Sequence, residues 1–349
     1  MNGRCILILL FIPWLLKGGQ PWVKKGRILA PGFSGTRSSN LLSAPSVVKL
    51  KDGRLRLYFW TRDGEGHPST ETGRSLANFI YAAEASPDDP MNWKILKPAP
   101  LLSPNPVGKI NDRGPGFSYV LRRDDGPWLL FYCTWGSWAP AGQISNRTAL
   151  AVSHDEGITW SVMKEPMLPL GEPGEWDAAL TGSVCVLRTA PRKYQMWYTA
   201  GDYGPYDDGT RNLIAQIGRA TTPDGVNWTK TRNANPVLAA RKNAIPQFEA
   251  VISKPCVILF GGSYHMWYSR RVNDNRGYRL AYARSSDGVN WRRVLDDNVI
   301  PYSADGFDSK NLSYPNVIEM GDQLWMFYVG NQFGATGIGL ATMKKSVLQ

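Results

Sequence analysis

Histidine is nearly absent from this chain. There are three in 349 residues (His67, His154 and His265), too little material for a histidine-based zinc site or a Ser-His-Asp triad. Cysteine is almost as scarce. Of the four, Cys133, Cys185 and Cys256 lie in apolar, strand-like runs (LLFYCTW, GSVCVL, KPCVIL), and Cys5 lies near the N-terminus. No CxxC or Cys/His spacing suggests a metal centre, so buried free thiols are expected, with no metal and no cofactor. Long amphipathic patterns with helix caps are scarce as well, which argues against parallel α/β architectures, since these need helices between their strands. Acidic residues are outnumbered, 29 against 40 Lys plus Arg, for a formal charge of +11. The basic residues are scattered in pairs (Lys24-Lys25, Arg122-Arg123, Arg270-Arg271, Arg292-Arg293, Lys344-Lys345) instead of one stripe, the pattern of a protein that does not bind nucleic acid. The net charge is compatible with an acidic glycan or an anionic membrane surface.

The one long apolar run, CILILLFIPWLL after Arg4, has the length of a signal-peptide core and is too short to span a bilayer comfortably. The KGGQ that follows lacks an A-x-A cleavage pattern. Residues 1–20 therefore read as an apolar extension: a signal, an uncleaved anchor, or a product of an upstream start. Membrane association is expected only if it is an anchor. Buried unpaired thiols favour a reducing compartment, so the expected location is cytoplasmic, with export through this segment as the alternative.

What the chain has in plenty is Gly (35), Pro (25), Trp (14) and Tyr (15), the mix of many turns and short aromatic strands. It also repeats itself. TPDGVNW (Thr222–Trp228) recurs as SSDGVNW (Ser285–Trp291), with looser copies at Ser153–Trp160 (SHDEGITW) and Ser86–Trp93 (SPDDPMNW). Aligning on the aromatic pair that ends an apolar strand gives five copies: Tyr58-Phe59, Phe131-Tyr132, Trp197-Tyr198, Trp267-Tyr268 and Phe327-Tyr328, spaced by 73, 66, 70 and 60 residues. Each pair is preceded by another apolar strand and a tight polar turn, which is a hairpin signal. A variable loop and a third short strand follow. Five such antiparallel units arranged radially make an all-β, five-bladed β-propeller, with residues 21–349 as one domain. The fifth unit lacks the Trp of the repeated phrase, and the N-terminal PWVKKGRILAP is the segment available to close the ring. In the repeated phrase, Ser or Thr and Asp bond the backbone of a tight turn, Gly takes positive φ, and Trp folds back to pack between units. Asp155, Asp224 and Asp287 are accordingly read as structural.

On the strand pair ending in MWY, the A-x-S-x-D-G-x-x-W turn and the WD or FD before inner strands, the chain resembles the five-bladed propeller glycoside hydrolases and phosphorylases: arabinanases and xylosidases, invertases and levansucrases, and β-mannoside phosphorylases. The resemblance covers almost the whole chain and is specific for the superfamily more than for one family. SHDEGITW is also similar to the sialidase Asp-box, but five repeats argue against those six-bladed proteins. The resemblance implies a carbohydrate substrate and glycosidic bond cleavage by carboxylates.

In a propeller, functional side chains should collect just before the first strand of each unit and just after the second. Before the first strand stand Asn40, Asp112, Asp177, Glu249 and Asp308, with Ser118 and Ser183 taken as equivalent strand positions. Four carboxylates are thus expected to converge on the axis, where crowding would raise some pKa values. Glycoside cleavage needs one protonated acid and one carboxylate base or nucleophile. The expected roles are Asp112 as base or sugar-orienting group, Asp177 as its partner and Glu249 as general acid. The resembling hydrolases place Asp, Asp and Glu on their first three blades. This chain departs from that, with Asn40 on the first, Asp177 on the third and its one Glu in register on the fourth. The expected substrate-binding set is Arg37, Asn40, Arg62, Asp63, Trp135, Trp176, Asp202, Arg270, Arg271, Asp308 and Asn331, since aromatics stack on sugars and Arg or Asn bond hydroxyls or an anion. For each of these the plainer reading is a turn cap or an ordinary solvated rim. A glycosidase is the leading reading. A phosphorylase or transglycosylase, using Arg270 or Arg271 for phosphate, and a non-catalytic sugar-binding propeller are the rivals.

Overall fold

The computed structural model describes residues 22–63, 77–106, 108–136, 146–163, 166–205, 211–231, 233, 235–241, 248–274 and 276–348. The extension 1–20, Cys5 and His67 lie outside the described residues. No α-helix occurs among the described residues. Strand β1 (Val23–Leu29) is followed by β2 (Leu41–Lys49), β3 (Leu55–Arg62), β4 (Asn78–Ala85) and β5 (Lys94–Ile95), an antiparallel meander. The pattern repeats in β6 (Gly114–Leu121), β7 (Trp128–Trp135), β8 (Arg147–Ser153) and β9 (Ser161–Val162). It repeats again in β10 (Leu180–Ala190), β11 (Lys193–Pro205), β12 (Arg211–Thr222) and β13 (Thr229–Lys230), and in β14 (Glu249–Phe260), β15 (Ser263–Val272), β16 (Tyr278–Ser285) and β17 (Arg292–Leu295). These last two meanders share one sheet through a single parallel pairing, Ala215 with Val251. The final meander, β18 (Ser313–Met320), β19 (Gln323–Val329) and β20 (Ile338–Lys344), takes β1 as its fourth strand beside β20. The N-terminal segment thus supplies the missing strand.

Most strands do not alternate. Strand β3 is buried from Leu55 to Thr61, because both faces of a central strand pack on something: one on each neighbouring meander. Two sets of contacts repeat from meander to meander. The first links the opening strands β2, β6, β10, β14 and β18, which pack on one another in chain order, with β18 back on β2. Ser46 Oγ accepts the Val120 N–H (3.0 Å), Tyr119 Oη donates to the Val186 carbonyl (2.8 Å), and Cys185 Sγ accepts the Val257 N–H (3.2 Å). Cys256 Sγ accepts the Val317 N–H (3.0 Å), and Asn316 Oδ1 accepts the Val47 N–H (2.9 Å), returning to β2. The three described cysteines, all buried free thiols, are each a backbone acceptor.

The second set is aromatic. Trp93 packs edge-on against Phe327, Trp160 against Tyr58, Trp228 against Phe131 and Trp291 against Trp197, with centroids 6.0, 6.1, 6.1 and 6.1 Å apart. In the final meander, whose own turn lacks a Trp, Trp22 takes the place and meets Trp267 at 5.9 Å. Trp22 is 5% exposed. Trp22→Ala is expected to cost about 3–5 kcal/mol, as for other buried Trp→Ala changes. Denaturant unfolding checks this. A loss under about 1 kcal/mol, at the level of ordinary surface substitutions, would mean the N-terminal strand does not hold the final meander.

The repeated turns are built as their composition implies. Asp224 Oδ1 accepts the N–H groups of Val226 and Asn227 (both 2.8 Å), and Asp287 Oδ1 those of Val289 and Asn290 (both 2.8 Å). The indole N–H groups of Trp228 and Trp291 donate back to Gly225 and Gly288 carbonyls. The Asn290 and Val289 N–H groups hold Asp287 well below the usual carboxylate range. At Gly288 (φ 74°) a Cβ would lie 2.9 Å from the Trp197 ring, so both the backbone angle and the close approach require glycine. Asp287→Ala is expected to lower stability by about 1–2 kcal/mol through unpaired turn donors, read as a lower Tm with unchanged activity.

Candidate functional site

Each opening strand carries a bulge with a non-glycine residue at positive φ: Ala44 (47°), Phe117 (50°), Ser183 (45°), Lys254 (49°) and Tyr314 (53°). The strand register shifts at each of these places. Phe117, not Ser118, therefore stands where Ser183 does, which corrects the register read from sequence. A sequence signal for these bulges exists: Pro45, Pro255 and Pro315 follow three of the five residues, and proline inside a strand marks an edge or a bulge. The preceding meander holds three of these bulges. Cys133 Sγ accepts the Ser183 N–H (3.0 Å), Thr199 Oγ1 the Lys254 N–H (2.9 Å) and Ser269 Oγ the Tyr314 N–H (2.7 Å).

The bulges turn side chains toward one another. Phe117 and Tyr314, from β6 and β18, meet edge-on at 5.0 Å. The Lys254 ammonium lies 5.9 Å from the Tyr119 ring centroid and is 1% exposed. Burial pulls its pKa down, against the opposing pull of the Cys256, Cys185 and Cys133 thiols. Above this level Trp60 packs on Phe117 (5.5 Å) and Trp135 stacks on Phe117 (6.4 Å). The Arg62 guanidinium sits over Trp60 (5.2 Å) and Trp135 (5.7 Å). On the other side Tyr278 contacts Tyr314 (5.6 Å), and Arg271 lies 5.7 Å over Tyr278. The sequence reading named Arg62, Trp135 and Arg271 and missed Trp60, Phe117, Lys254, Tyr278 and Tyr314.

Asp112 joins this mouth. It is 0% exposed, and its Oδ2 accepts the Gly108 N–H (2.9 Å). Its loop is docked on both sides: the Asn78 N–H donates to the Arg113 carbonyl (3.0 Å), and the Arg113 N–H to the Trp135 carbonyl (3.0 Å). Asn78 Oδ1 in turn accepts from Arg62 Nε (3.0 Å). Gly114 (φ 93°) permits this, since a Cβ there would lie 2.0 Å from the Asn78 carbonyl oxygen. Asp63 and Arg37 come together, with Arg37 Nε donating to Asp63 Oδ2 (2.7 Å) and Ser39 Oγ to Oδ1 (3.2 Å). Asn40 is exposed. Asp202 is partly buried, and its carboxylate has no hydrogen bond or ion pair among the described residues.

The other three carboxylates in register, those of Asp177, Glu249 and Asp308, are ion-paired. Each is paired with a cation on the strand farthest from the opening strand of its meander. Asp177 meets Lys230 of β13 (2.5 Å), Glu249 meets Arg293 of β17 (2.7 Å), and Asp308 meets Lys24 of β1 (2.6 Å). A tyrosine of the second strand accompanies each pair. Tyr328 donates to Asp308 (2.9 Å), and the charges of Asp177 and Glu249 help raise the pKa of Tyr198 and Tyr268, after the larger effect of burial. Trp176 lies against Tyr198 (6.3 Å) and Gly218, packing beside Asp177. Glu249 is held further by Arg270 Nε and by the Arg241 N–H (2.8 Å). Burial alone would raise its pKa, but Arg293, the Arg241 N–H and Arg270 outweigh it, and the carboxyl sits below its ordinary value. A general acid must hold its proton at working pH, so this geometry suits an anchor for arginines and not the acid role read from sequence. Arg270, bound to Glu249 and the Asp296 carbonyl, is committed. Asn331 is too: its Oδ1 accepts the Lys310 and Asn311 N–H groups and its Nδ2 donates to Gly306. His265 is a core residue, accepting from Tyr282 at Nδ1 (2.6 Å), and burial pulls its pKa down to about 4.

No family model matches the chain. Two uncharacterized proteins of Mycobacterium tuberculosis, MT1551 (strain CDC 1551 / Oshkosh) and Rv1502 (strain ATCC 25618 / H37Rv), are each 29% identical over 328 residues, 93% of this chain and 99% of theirs. Among solved structures, a glycoside hydrolase superposes with a TM-score of 0.73 at 21% identity, covering 95% of this chain and 94% of that one. The fold is that of glycoside hydrolases. Two others agree. One is a structure of the GH130 family of mannoside phosphorylases, which contains hydrolases that target β-1,2 mannosidic linkages in Candida mannan (TM-score 0.66, 16% identity, 93% and 94% covered). The other is Zg3597, a family 117 glycoside hydrolase of Zobellia galactanivorans (0.61, 16%, 93% and 90%). The chain is thus all-β and propeller-like.

Proposed function

We propose that the protein is a glycosidase that cleaves an oligo- or polysaccharide at the mouth between its opening strands, on a five-bladed propeller. The blade count is supported by the two cyclic contact sets, in which the fifth meander returns to the first through Asn316 and Val47 and through Trp93 and Phe327. The function rests on one observation above all: on a fold shared with glycoside hydrolases, one mouth brings together stacked aromatics, half-buried guanidiniums and the buried carboxylate of Asp112. That is the make-up of a carbohydrate cleft. Asp112 acts on the glycosidic oxygen or on water, Asp202 is its candidate partner, and Trp60, Arg62, Trp135 and Arg271 hold the sugars. Asp177, Glu249 and Asp308 keep the blades' edge strands in place.

A reducing-end assay on a glycan panel, with and without inorganic phosphate, tests this. Turnover without phosphate is the expected result. Turnover only with phosphate would make the enzyme a phosphorylase, and folded protein that binds glycans without ever cleaving them would be a binding module.

A further inference from the structure

The turn between β19 and β20 holds Phe333 out of the protein, 47% exposed. Gln332 (φ 52°) and Phe333 (φ 60°) are consecutive non-glycine residues in the left-handed region, an arrangement that persists only where its surroundings impose it. They do so here. Asn311 Oδ1 accepts the Gln332 N–H (2.9 Å), and Gly334 lies so close to β2 that a Cβ would come within 2.4 Å of the Leu42 oxygen. From Phe333 a row of rings crosses the mouth: Phe333 to Tyr278 (5.6 Å), Tyr278 to Tyr314 (5.6 Å), Tyr314 to Phe117 (5.0 Å) and Phe117 to Trp135 (6.4 Å).

Two guanidiniums lie along this row, on either side of the Tyr314–Phe117 pair: Arg271 over Tyr278 and Arg62 over Trp60. Neither has a carboxylate partner among the described residues. Several other arginines have one, Glu84 for Arg56, Asp274 for Arg279 and Glu249 for Arg270 and Arg293, and Arg219 has the amide oxygen of Gln195. Partly buried cations without a counter-charge are costly unless a ligand brings one, and the planar guanidinium matches a carboxylate bidentately.

We propose that the mouth takes a glycan whose sugar units carry carboxylates, with a terminal unit stacked on Phe333 and its carboxylate on Arg271. A single small anion would use the cations and leave the exposed ring without a role. A uronate-type sugar uses both, and a second uronate further along the row meets Arg62. The inference rests on the carbohydrate-cleft reading.

The test is calorimetric binding of hexuronate oligosaccharides of several linkages, and of the same oligosaccharides after carboxyl reduction to neutral sugars, with inorganic phosphate as competitor. The acidic form should bind at least tenfold tighter than its reduced form. Arg271→Gln should cut that preference severalfold, leaving what the second uronate on Arg62 supplies, and Phe333→Ala should weaken both forms about equally, by roughly tenfold, the loss of one stacking contact. Neither residue makes an ion pair among the described residues, so both variants should keep the wild-type Tm. Equal binding of acidic and reduced forms, or an Arg271→Gln variant that keeps the full preference, overturns the inference. So does phosphate binding without any advantage for the acidic glycan. Cleavage of neutral glycans alone would sink the inference and leave the glycosidase standing. Folded wild type that binds no glycan of either kind would remove both.

Discussion

Asp112→Asn should remove turnover by about 10²- to 10⁴-fold, the usual contribution of a positioned acid–base group, while leaving the Tm within a degree or two. Like Glu249, Asp112 is fully buried near the start of an opening strand. Its loop is docked to Asn78 and Trp135, so it shares hydrogen-bonded neighbours with Arg62. Asp177, Glu249 and Asp308 are each paired with an edge-strand cation. Asn is isosteric and can still accept the Gly108 N–H through its amide oxygen, so the loop should hold while the proton-transfer capacity goes. The measurement is kcat/KM on whichever glycan the wild type cleaves, beside a thermal unfolding curve. A folded variant with wild-type kcat would move the chemistry away from this residue, with Asp202 the next carboxylate to test.

Glu249→Gln should have the opposite profile. Removing the charge leaves Arg270, with its side chain 15% exposed, without its carboxylate, and Arg293, 10% exposed, with only Asp296 at 3.6 Å. Breaking a buried pair from one side costs about 3–5 kcal/mol, and the folded fraction should keep its activity within a factor of a few. The pH dependence follows from the same pair. The folded carboxyl titrates below its ordinary value, so its contribution is fully present above the unfolded pKa of about 4.3 and is lost as pH falls through the folded pKa. The wild type should therefore lose stability in acid below about pH 4.3, and the Gln variant, already weaker at neutral pH, should show a flatter acid limb. Denaturant midpoints between pH 3 and 7 would show it. Intact stability with lost turnover would restore Glu249 to the chemistry.

Much of the architecture can be read directly from the chain. The repeated turns and the hairpins ending in aromatic pairs follow from local chemistry: an Asp that bonds its own turn, a Gly at positive φ and the pairing of adjacent strands are all decided within a few residues. Even the need for a closing strand is legible, because the fifth turn lacks its Trp and a PW stands unused near the N-terminus. The site was only half legible. Arg62, Trp135, Arg271 and Asp112 follow from their register positions, whereas the roles of the carboxylates do not. Asp177, Glu249 and Asp308 occupy matching places in sequence, yet what each does depends on Lys230, Arg293 and Lys24. Lys24 reaches Asp308 across almost the whole chain, through the pairing of β1 with β20. The aromatic floor was equally hidden, since a bulge changes which way a side chain points, and Phe117 and Tyr314 meet only because strands from different meanders bring them face to face. Local sequence determines turns and strands because their hydrogen bonds are local. A carboxylate's charge partner, and so its pKa and its use, is set by long-range pairing that only the tertiary structure decides.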